Sequence, residues 1–111
     1  MSSELETTVE EFKARLDRHD RVWLLDVREK NEFDICRMPG ATLIPLGELP
    51  RRLNELPQGA DAPDIIVSCK MGGRSAKAVN LLREKGFDRV QNLKGGILAW
   101  IDKIDPTLAK Y

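Results

Sequence analysis

Residues 64–82 read DIIVSCKMGGRSAKAVNLL, and this stretch decides the fold. The run Ile65-Ile66-Val67 is apolar and β-branched and is introduced by Pro63, a combination that predicts a short buried strand. Two glycines follow, and then small and aliphatic residues recur at helical spacing: Ala76, Ala78, Val79 and Leu82. The sequence therefore predicts a strand, a tight loop and a helix, with Cys69 where the strand stops.

This position favours thiolate chemistry at Cys69. The first amides of a helix have no intrahelical partners and carry the positive end of the helix dipole. A loop of small residues before such a helix can aim further amides at one point and so bind an anion. Gly72 and Gly73 permit the positive φ angles that this loop needs, and Lys70 and Arg74 add positive charge. We therefore expect Cys69 to be a nucleophilic thiolate.

The loop Ser68-Cys69-Lys70-Met71-Gly72-Gly73-Arg74-Ser75 resembles the active-site loop of rhodanese-family sulfurtransferases. Other segments match the family in order: Leu24-Leu25-Asp26-Val27-Arg28 with Glu32-Phe33, then Met38-Pro39-Gly40-Ala41, then Gly86-Phe87, Val90, Leu93, Gly95-Gly96 and Trp100. The resemblance extends from Thr8 to Trp100, and several separated motifs are more specific than one cysteine loop. More narrowly, residues 36–41, 47–49 and 105–111 resemble rhodanese domains fused to enzymes that activate ubiquitin-like sulfur carriers.

The resemblance implies an α/β chain with a rhodanese-like three-layer fold: a mostly parallel five-stranded sheet with helices on both faces. Strands that alternate with helices agree with this architecture. The resemblance also implies transfer of a sulfane sulfur through a Cys69 persulfide, held by the loop residues Lys70, Met71, Gly72, Gly73, Arg74 and Ser75. The implied donor is thiosulfate or a persulfide, from a small molecule or a protein. The implied acceptor is cyanide, a thiol or a ubiquitin-like sulfur carrier, and neither a metal nor an organic cofactor is expected.

Asp26 and Arg28 follow the apolar run Val22-Trp23-Leu24-Leu25, which is typical of a parallel strand covered on both faces. Since ligands bind at the carboxyl ends of such strands, both residues are expected on the rim that carries Cys69. We interpret them as support for the active site, with Asp26 as a buried, paired carboxylate rather than a catalytic group.

Length and charge place limits on the function. The 111 residues predict one domain over residues 1–111, with a core at about 8–102 and a tail at 103–111. Lys plus Arg and Asp plus Glu number 18 each, so no net field attracts nucleic acid or an acidic membrane. A reactive thiol without a signal peptide or a membrane-spanning run predicts a cytoplasmic protein.

Other elements and residues are expected to be structural. Residues 1–6 are predicted to be frayed or a short edge strand. A helix capped by Thr7 or Thr8 carries Val9, Phe12 and Leu16 inward, and Phe33 points inward from a short second helix. A further helix over residues 45–53 buries its leucines.

Cys36 and Arg37 replace the family's more usual glycine and histidine; Cys36 is interpreted as a small buried hydrophobe rather than a resolving thiol. His19, the only histidine, is interpreted as a solvated loop residue.

Two rival functions have weaker support. Phosphatases and arsenate reductases of the same fold, by resemblance, have a loop one residue longer than the one between Cys69 and Arg74. A smaller ring of amides suits one sulfur atom better than a tetrahedral oxyanion. A non-catalytic binding or regulatory module remains the second alternative, although the cysteine, the glycines and the arginine are all present.

Overall fold

The computed structural model describes residues 5–111. Its strands are β1 (Glu6–Thr7), β2 (Val22–Asp26), β3 (Thr42–Leu43), β4 (Asp64–Ser68) and β5 (Val90–Leu93). Its α-helices are α1 (Val9–Asp17), α2 (Lys30–Ile35), α3 (Gly73–Glu84) and α4 (Gly96–Lys103). Two 3₁₀ helices, Leu46–Arg51 and Leu53–Glu55, lie between β3 and β4.

The five strands form one parallel sheet in the order β1-β5-β4-β2-β3. β4 lies at its centre because its apolar run is buried on both faces. The register pairs Asp26 of β2 with Ser68 of β4, so both strands end at the same level of the sheet. Asp26 and Cys69 consequently lie on the same edge.

Two hydrophobic clusters cover the two faces of the sheet. Side chains of successive strand residues point to opposite faces, and Leu25 and Val67 accordingly join one cluster while Leu24 and Ile66 join the other. The first cluster includes buried residues of α3, and the second includes buried residues of α1 and α4. The helices therefore lie on both sides of a parallel sheet, and the predicted three-layer α/β fold is confirmed.

Some local predictions were wrong. Leu16 of α1 is exposed on 38% of its surface, so only Val9 and Phe12 form the buried stripe. Phe33 is only half-buried and lies beneath the Arg37 guanidinium, because α2 is a short helix at the rim without buried residues. The helix predicted over residues 45–53 forms as two 3₁₀ helices, and of its leucines only Leu49 is fully buried.

The structure of the two chain ends agrees only in part with what the sequence predicted for them. Residues 1–4 lie outside the described part of the chain, while Glu6–Thr7 forms an edge strand beside β5. The expected tail lies against the core, because Leu108 and Tyr111 pack on the second cluster. Within residues 5–111, no helix has the length and apolar character needed to cross a membrane.

Candidate active site

The start of α4 fixes the backbone of the Cys69 loop. The Cys69 carbonyl accepts a hydrogen bond from the Ile97 amide at 2.9 Å, and the Lys70 carbonyl accepts one from the Leu98 amide at 3.2 Å. Gly96 makes this close contact possible: its φ is +60°, and a Cβ there would lie 2.5 Å from both carbonyl oxygens. Two peptide units beside Cys69 are therefore held by the amides of a second helix.

The Cys69 sulfur lies among hydrogen-bond donors at the start of α3. The Gly72 amide donates to Cys69 Sγ at 3.0 Å, and Ser75 Oγ lies 3.2 Å from the same atom. Gly72 adopts a left-handed conformation with φ of 114°, which favours glycine and leads the chain from the loop into α3. Cys69 is only 2% exposed, so its sulfur is recessed beneath the surface of the loop.

These donors determine the acidity of the cysteine. Burial raises the pKa of the Cys69 thiol, but the hydrogen bonds from the Ser75 hydroxyl and from the amides of Ser75, Gly72 and Met71 outweigh it. The pKa of Cys69 therefore lies below the ordinary value for cysteine. A larger thiolate fraction makes this sulfur a better nucleophile near neutral pH.

Asn92 of β5 is a residue of the site that the sequence reasoning missed. Ser75 Oγ donates to Asn92 Oδ1 at 2.5 Å, and Asn92 Nδ2 donates to the Gly72 carbonyl at 3.2 Å. One amide side chain thus contacts both the serine and the glycine that touch the Cys69 sulfur. The available signal was a polar residue inside the buried strand β5.

Arg74 is held by a carboxylate of α2. Its guanidinium donates to both oxygens of Glu32, at 2.6 Å and 2.9 Å. Glu32 also accepts the Glu29 amide at 3.0 Å in the capping box of α2. The hydrogen bond from Arg74 lowers the pKa of Glu32 to about 2, so this carboxylate is charged in the neutral range. The positive charge of Arg74 is thereby largely offset at the rim.

Asp26 and Arg28 form an ion pair beneath the rim. Their side chains are 2% and 0% exposed, and Arg28 Nη2 lies 2.7 Å from Asp26 Oδ2. Arg28 also donates to the Cys36 carbonyl at 2.7 Å, which fixes the segment after α2. Burial acts to lower the pKa of Arg28, but the hydrogen bonds to Asp26 and Tyr111 outweigh it and raise it.

Tyr111 brings the end of the tail to the loop, which the sequence reasoning did not predict. Its hydroxyl accepts from Arg28 at 3.0 Å and donates to Glu32 at 2.8 Å. Its ring centroid lies 4.6 Å from Lys70 Nζ, a cation–π geometry. Burial raises the pKa of Tyr111 to about 12, so its hydroxyl keeps its proton. Tyr111 therefore connects the buried Asp26–Arg28 pair to the cations of the loop.

The remaining predicted residues occupy different places. Met71 is 68% exposed at the top of the loop, and Gly73 begins α3. Both cysteines are free and buried, but Cys36 packs in the second hydrophobic cluster and Cys69 in the first. His19 lies exposed in the turn after α1.

Comparison with known proteins places the chain in a family. The Rhodanese-like domain family matches residues 8–103. A curated relative from Arabidopsis thaliana, "Adenylyltransferase and sulfurtransferase MOCS3", is 32% identical over 100% of this chain and 27% of its own length. "Putative sulfur carrier protein YrkF" from Bacillus subtilis is 36% identical over 94% of this chain and 55% of its own length. The chain thus spans only part of these relatives.

Solved structures agree in fold over most of the chain. A rhodanese-like domain protein from Staphylococcus aureus has a TM-score of 0.80 at 32% identity, over 96% of this chain and 98% of that one. The human single-domain sulfurtransferase TSTD1 has a TM-score of 0.79 at 27% identity, over 88% of this chain and 96% of that one. The protein described here belongs to the rhodanese-like domain family.

Proposed function

We propose that this protein is a sulfurtransferase that carries a sulfane sulfur as a persulfide on Cys69. One observation carries the proposal: the Gly72 amide and the Ser75 hydroxyl converge on a buried Cys69 sulfur at the N-terminus of α3. Membership of the family and relatives named as sulfurtransferases or sulfur carriers support sulfur transfer in general.

In the first step, the Cys69 thiolate attacks the outer sulfur of thiosulfate or of a persulfide. A new S–S bond forms to Cys69, and the bond between the outer sulfur and its former partner breaks. The electron pair of that bond leaves with sulfite, or with the thiolate of the former persulfide. The loop amides from Lys70 to Ser75 stabilise the terminal sulfur anion as charge develops there.

In the second step, a nucleophilic acceptor attacks the outer sulfur, the S–S bond to Cys69 breaks, and Cys69 leaves as the thiolate. Cyanide would yield thiocyanate, and a thiol would yield a new persulfide. The relative named as a putative sulfur carrier protein, YrkF, supports a sulfur-carrier protein as the partner class. The sulfur atoms supply both the nucleophile and the electrophile, so the proposed steps require neither a metal nor an organic cofactor.

The charges around the loop bear on the donor. Within residues 5–111, Arg28 is paired with Asp26 and Arg74 with Glu32, whereas Lys70 contacts the Tyr111 ring instead of a carboxylate. Among these described residues, Lys70 is therefore the loop cation whose charge is least neutralised. We infer that it attracts anionic donors, while Arg74 contributes a field that Glu32 weakens.

Steady-state kinetics with thiosulfate and cyanide test the function. A covalent intermediate predicts parallel double-reciprocal lines, the pattern of ping-pong kinetics. Cys69→Ser should abolish thiocyanate formation, whereas Cys36→Ala should keep it, because Cys36 packs in the other cluster. Turnover that survives Cys69→Ser would reject the mechanism. A folded parent protein that transfers no sulfur from several donors would favour the binding-module alternative.

A further inference from the structure

The Ser75 hydroxyl lies between two acceptors. Its Oγ is 2.5 Å from Asn92 Oδ1 and 3.2 Å from Cys69 Sγ. Both Ser75 and Asn92 are buried, at 0% and 6% exposure, so their hydrogen bonds are made within the protein. A serine hydroxyl has one proton to donate. Ser75 can therefore donate to the amide oxygen or to the sulfur, but not fully to both.

The protonation state of Cys69 decides whether the two acceptors compete for the Ser75 proton. When Cys69 is a thiol, its own proton can go to Ser75 Oγ while Ser75 donates to Asn92, and every group is satisfied. When Cys69 is a thiolate, it needs the Ser75 proton, because hydrogen bonds to a charged acceptor are the stronger ones. Asn92 Oδ1 then loses its donor in a buried site, which costs free energy.

We propose that Asn92 is a positioning residue that competes with the Cys69 sulfur for the single Ser75 proton and thereby limits the thiolate population. The effect of this competition on catalysis rests on the proposed function, in which Cys69 reacts as a thiolate. Formation of the persulfide moves the negative charge from Sγ to the outer sulfur, so the Ser75 proton can return to Asn92. This switch is a rotation of the hydroxyl in which no covalent bond forms or breaks.

Asn92 also makes a second contact, and the loss of that contact would disfavour the thiolate. Its Nδ2 holds the Gly72 carbonyl, and the Gly72 amide donates to the same sulfur. Loss of Asn92 could therefore favour the thiolate by freeing Ser75, or disfavour it by loosening Gly72. The test must separate these two effects.

Other charged and titratable groups around Cys69 are the same in every variant of the test. Arg74 of α3 acts on Cys69 through its charge and is held by Glu32 of α2. Lys70 lies in the loop itself, against the Tyr111 ring of the tail. Differences between variants at Asn92 and Ser75 therefore report on the shared proton and on the Gly72 contact, and not on these charges.

A mutant cycle provides the experiment. In a Cys36→Ala background, the thiolate of Cys69 is titrated by its ultraviolet absorbance and by the pH dependence of its alkylation by iodoacetamide. Asn92→Leu removes the acceptor with little change of side-chain shape, and Ser75→Ala removes the donor. Asn92→Leu should increase the thiolate-to-thiol ratio by about threefold to tenfold, the range of one net hydrogen bond. Ser75→Ala should decrease the ratio by a similar factor.

The double variant decides between competition and loosening. With alanine at position 75, Asn92→Leu can act only through the Gly72 contact, so any change in the ratio there measures loosening. If Asn92 competes for the Ser75 proton, Asn92→Leu should shift the ratio further toward the thiolate with Ser75 present than with alanine there. An equal shift in both backgrounds, or a shift further toward the thiol with Ser75 present, would overturn the proposal. Should Asn92→Leu fail to fold, Asn92→Asp provides a stronger acceptor and should decrease the ratio more with Ser75 present than with alanine there. An equal decrease in the two backgrounds would overturn it as well. The titration uses no sulfur donor, so its failure is distinct from failure of the proposed function.

Discussion

Glu32 connects the cap of α2 to the active-site loop. Its carboxylate accepts the Glu29 amide and receives both guanidinium donors of Arg74. Bidentate pairs between arginine and a carboxylate are among the stronger hydrogen-bonded contacts. An anionic donor that approaches Cys69 therefore meets an arginine whose charge is already largely compensated.

Glu32→Gln should free the charge of Arg74. Glutamine keeps an oxygen for the Glu29 amide and is an accepted capping-box residue, so α2 should stay intact. We expect the KM for thiosulfate to fall by about twofold to fivefold at low ionic strength, the scale of one partly exposed ion pair, with little change in kcat. Because the pKa of Glu32 is about 2, the difference should not vary with pH in the neutral range.

Glu55→Gln is the matched control for this prediction. It removes a carboxylate that pairs with Arg52 in the second 3₁₀ helix. The KM of this variant should equal that of the parent. A KM for thiosulfate that rises in Glu32→Gln would show that the carboxylate positions Arg74 for the donor instead of compensating its charge.

At the residue scale, the sequence indicated the candidate cysteine and its loop but not the distant side chains that contact them. Cys69 and its glycines are contiguous, so one strand–loop–helix pattern was enough to single them out. Glu32 and Arg74 are 42 positions apart, and Ser75 and Asn92 are 17 positions apart. Such contacts depend on how the elements pack, and no local pattern contains that information.

At the scale of the elements, the contact between the start of α4 and the Cys69 loop leaves no room for a Cβ at Gly96. Gly96→Ala would place a Cβ 2.5 Å from the carbonyl oxygens of Cys69 and Lys70, at a φ of +60°. Backbone must shift to relieve this contact, and we expect the free energy of unfolding to fall by about 1–3 kcal/mol. Since the loop is displaced, thiocyanate formation should be largely lost even in the folded fraction.

Gly86→Ala is the control that separates backbone strain at a positive φ from the steric contact between residue 96 and the Cys69 loop. Gly86 also has a positive φ, of +96°, but a Cβ there would have no neighbour within 4 Å. This control should lose stability, measured by urea denaturation, and keep its activity per folded molecule. Equal activity in the two variants would contradict the role assigned to the start of α4.

The tail is a second element whose contacts support the rim. Tyr111→Phe keeps the ring beside Lys70 but removes the hydroxyl that joins Arg28 to Glu32. We expect a loss of about 1 kcal/mol in the free energy of unfolding, the net value of a typical hydrogen bond, measured by urea denaturation. Lys110→Ala is the control: it removes only an exposed pair with Asp102 and should have little effect. A Phe variant as stable as the parent would mean that the hydroxyl does not hold the tail.

Most elements were predictable, and the exceptions have physical reasons. Apolar runs in β2 and β4 and helical periodicity in α3 depend on local sequence alone. The segment after β3 was predicted as one helix over residues 45–53, but it forms two 3₁₀ helices and contains Pro50, which cannot donate a backbone hydrogen bond. The attachment of the tail through Tyr111 depends on contacts with distant residues of the rim, so no local pattern predicted it.

At the scale of the whole molecule, parallel order brings the functional groups together. β2 and β4 are neighbours, and the register that pairs Asp26 with Ser68 places their carboxyl ends at one edge. Open α/β sheets commonly bind ligands at such an edge. Alternation of strands and helices predicted this class of fold, whereas the number of strands came from the family resemblance.

The persulfide on Cys69 is the central claim, and intact-mass measurement tests it most directly. The reduced protein would be incubated with thiosulfate or with a small-molecule persulfide, beside Cys69→Ser and Cys36→Ala. We predict that the parent and Cys36→Ala each gain the mass of one sulfur atom, that Cys69→Ser gains none, and that cyanide removes the sulfur as thiocyanate. A sulfur gained equally by Cys69→Ser, or none gained by a folded, fully reduced parent from either donor, would contradict the claim.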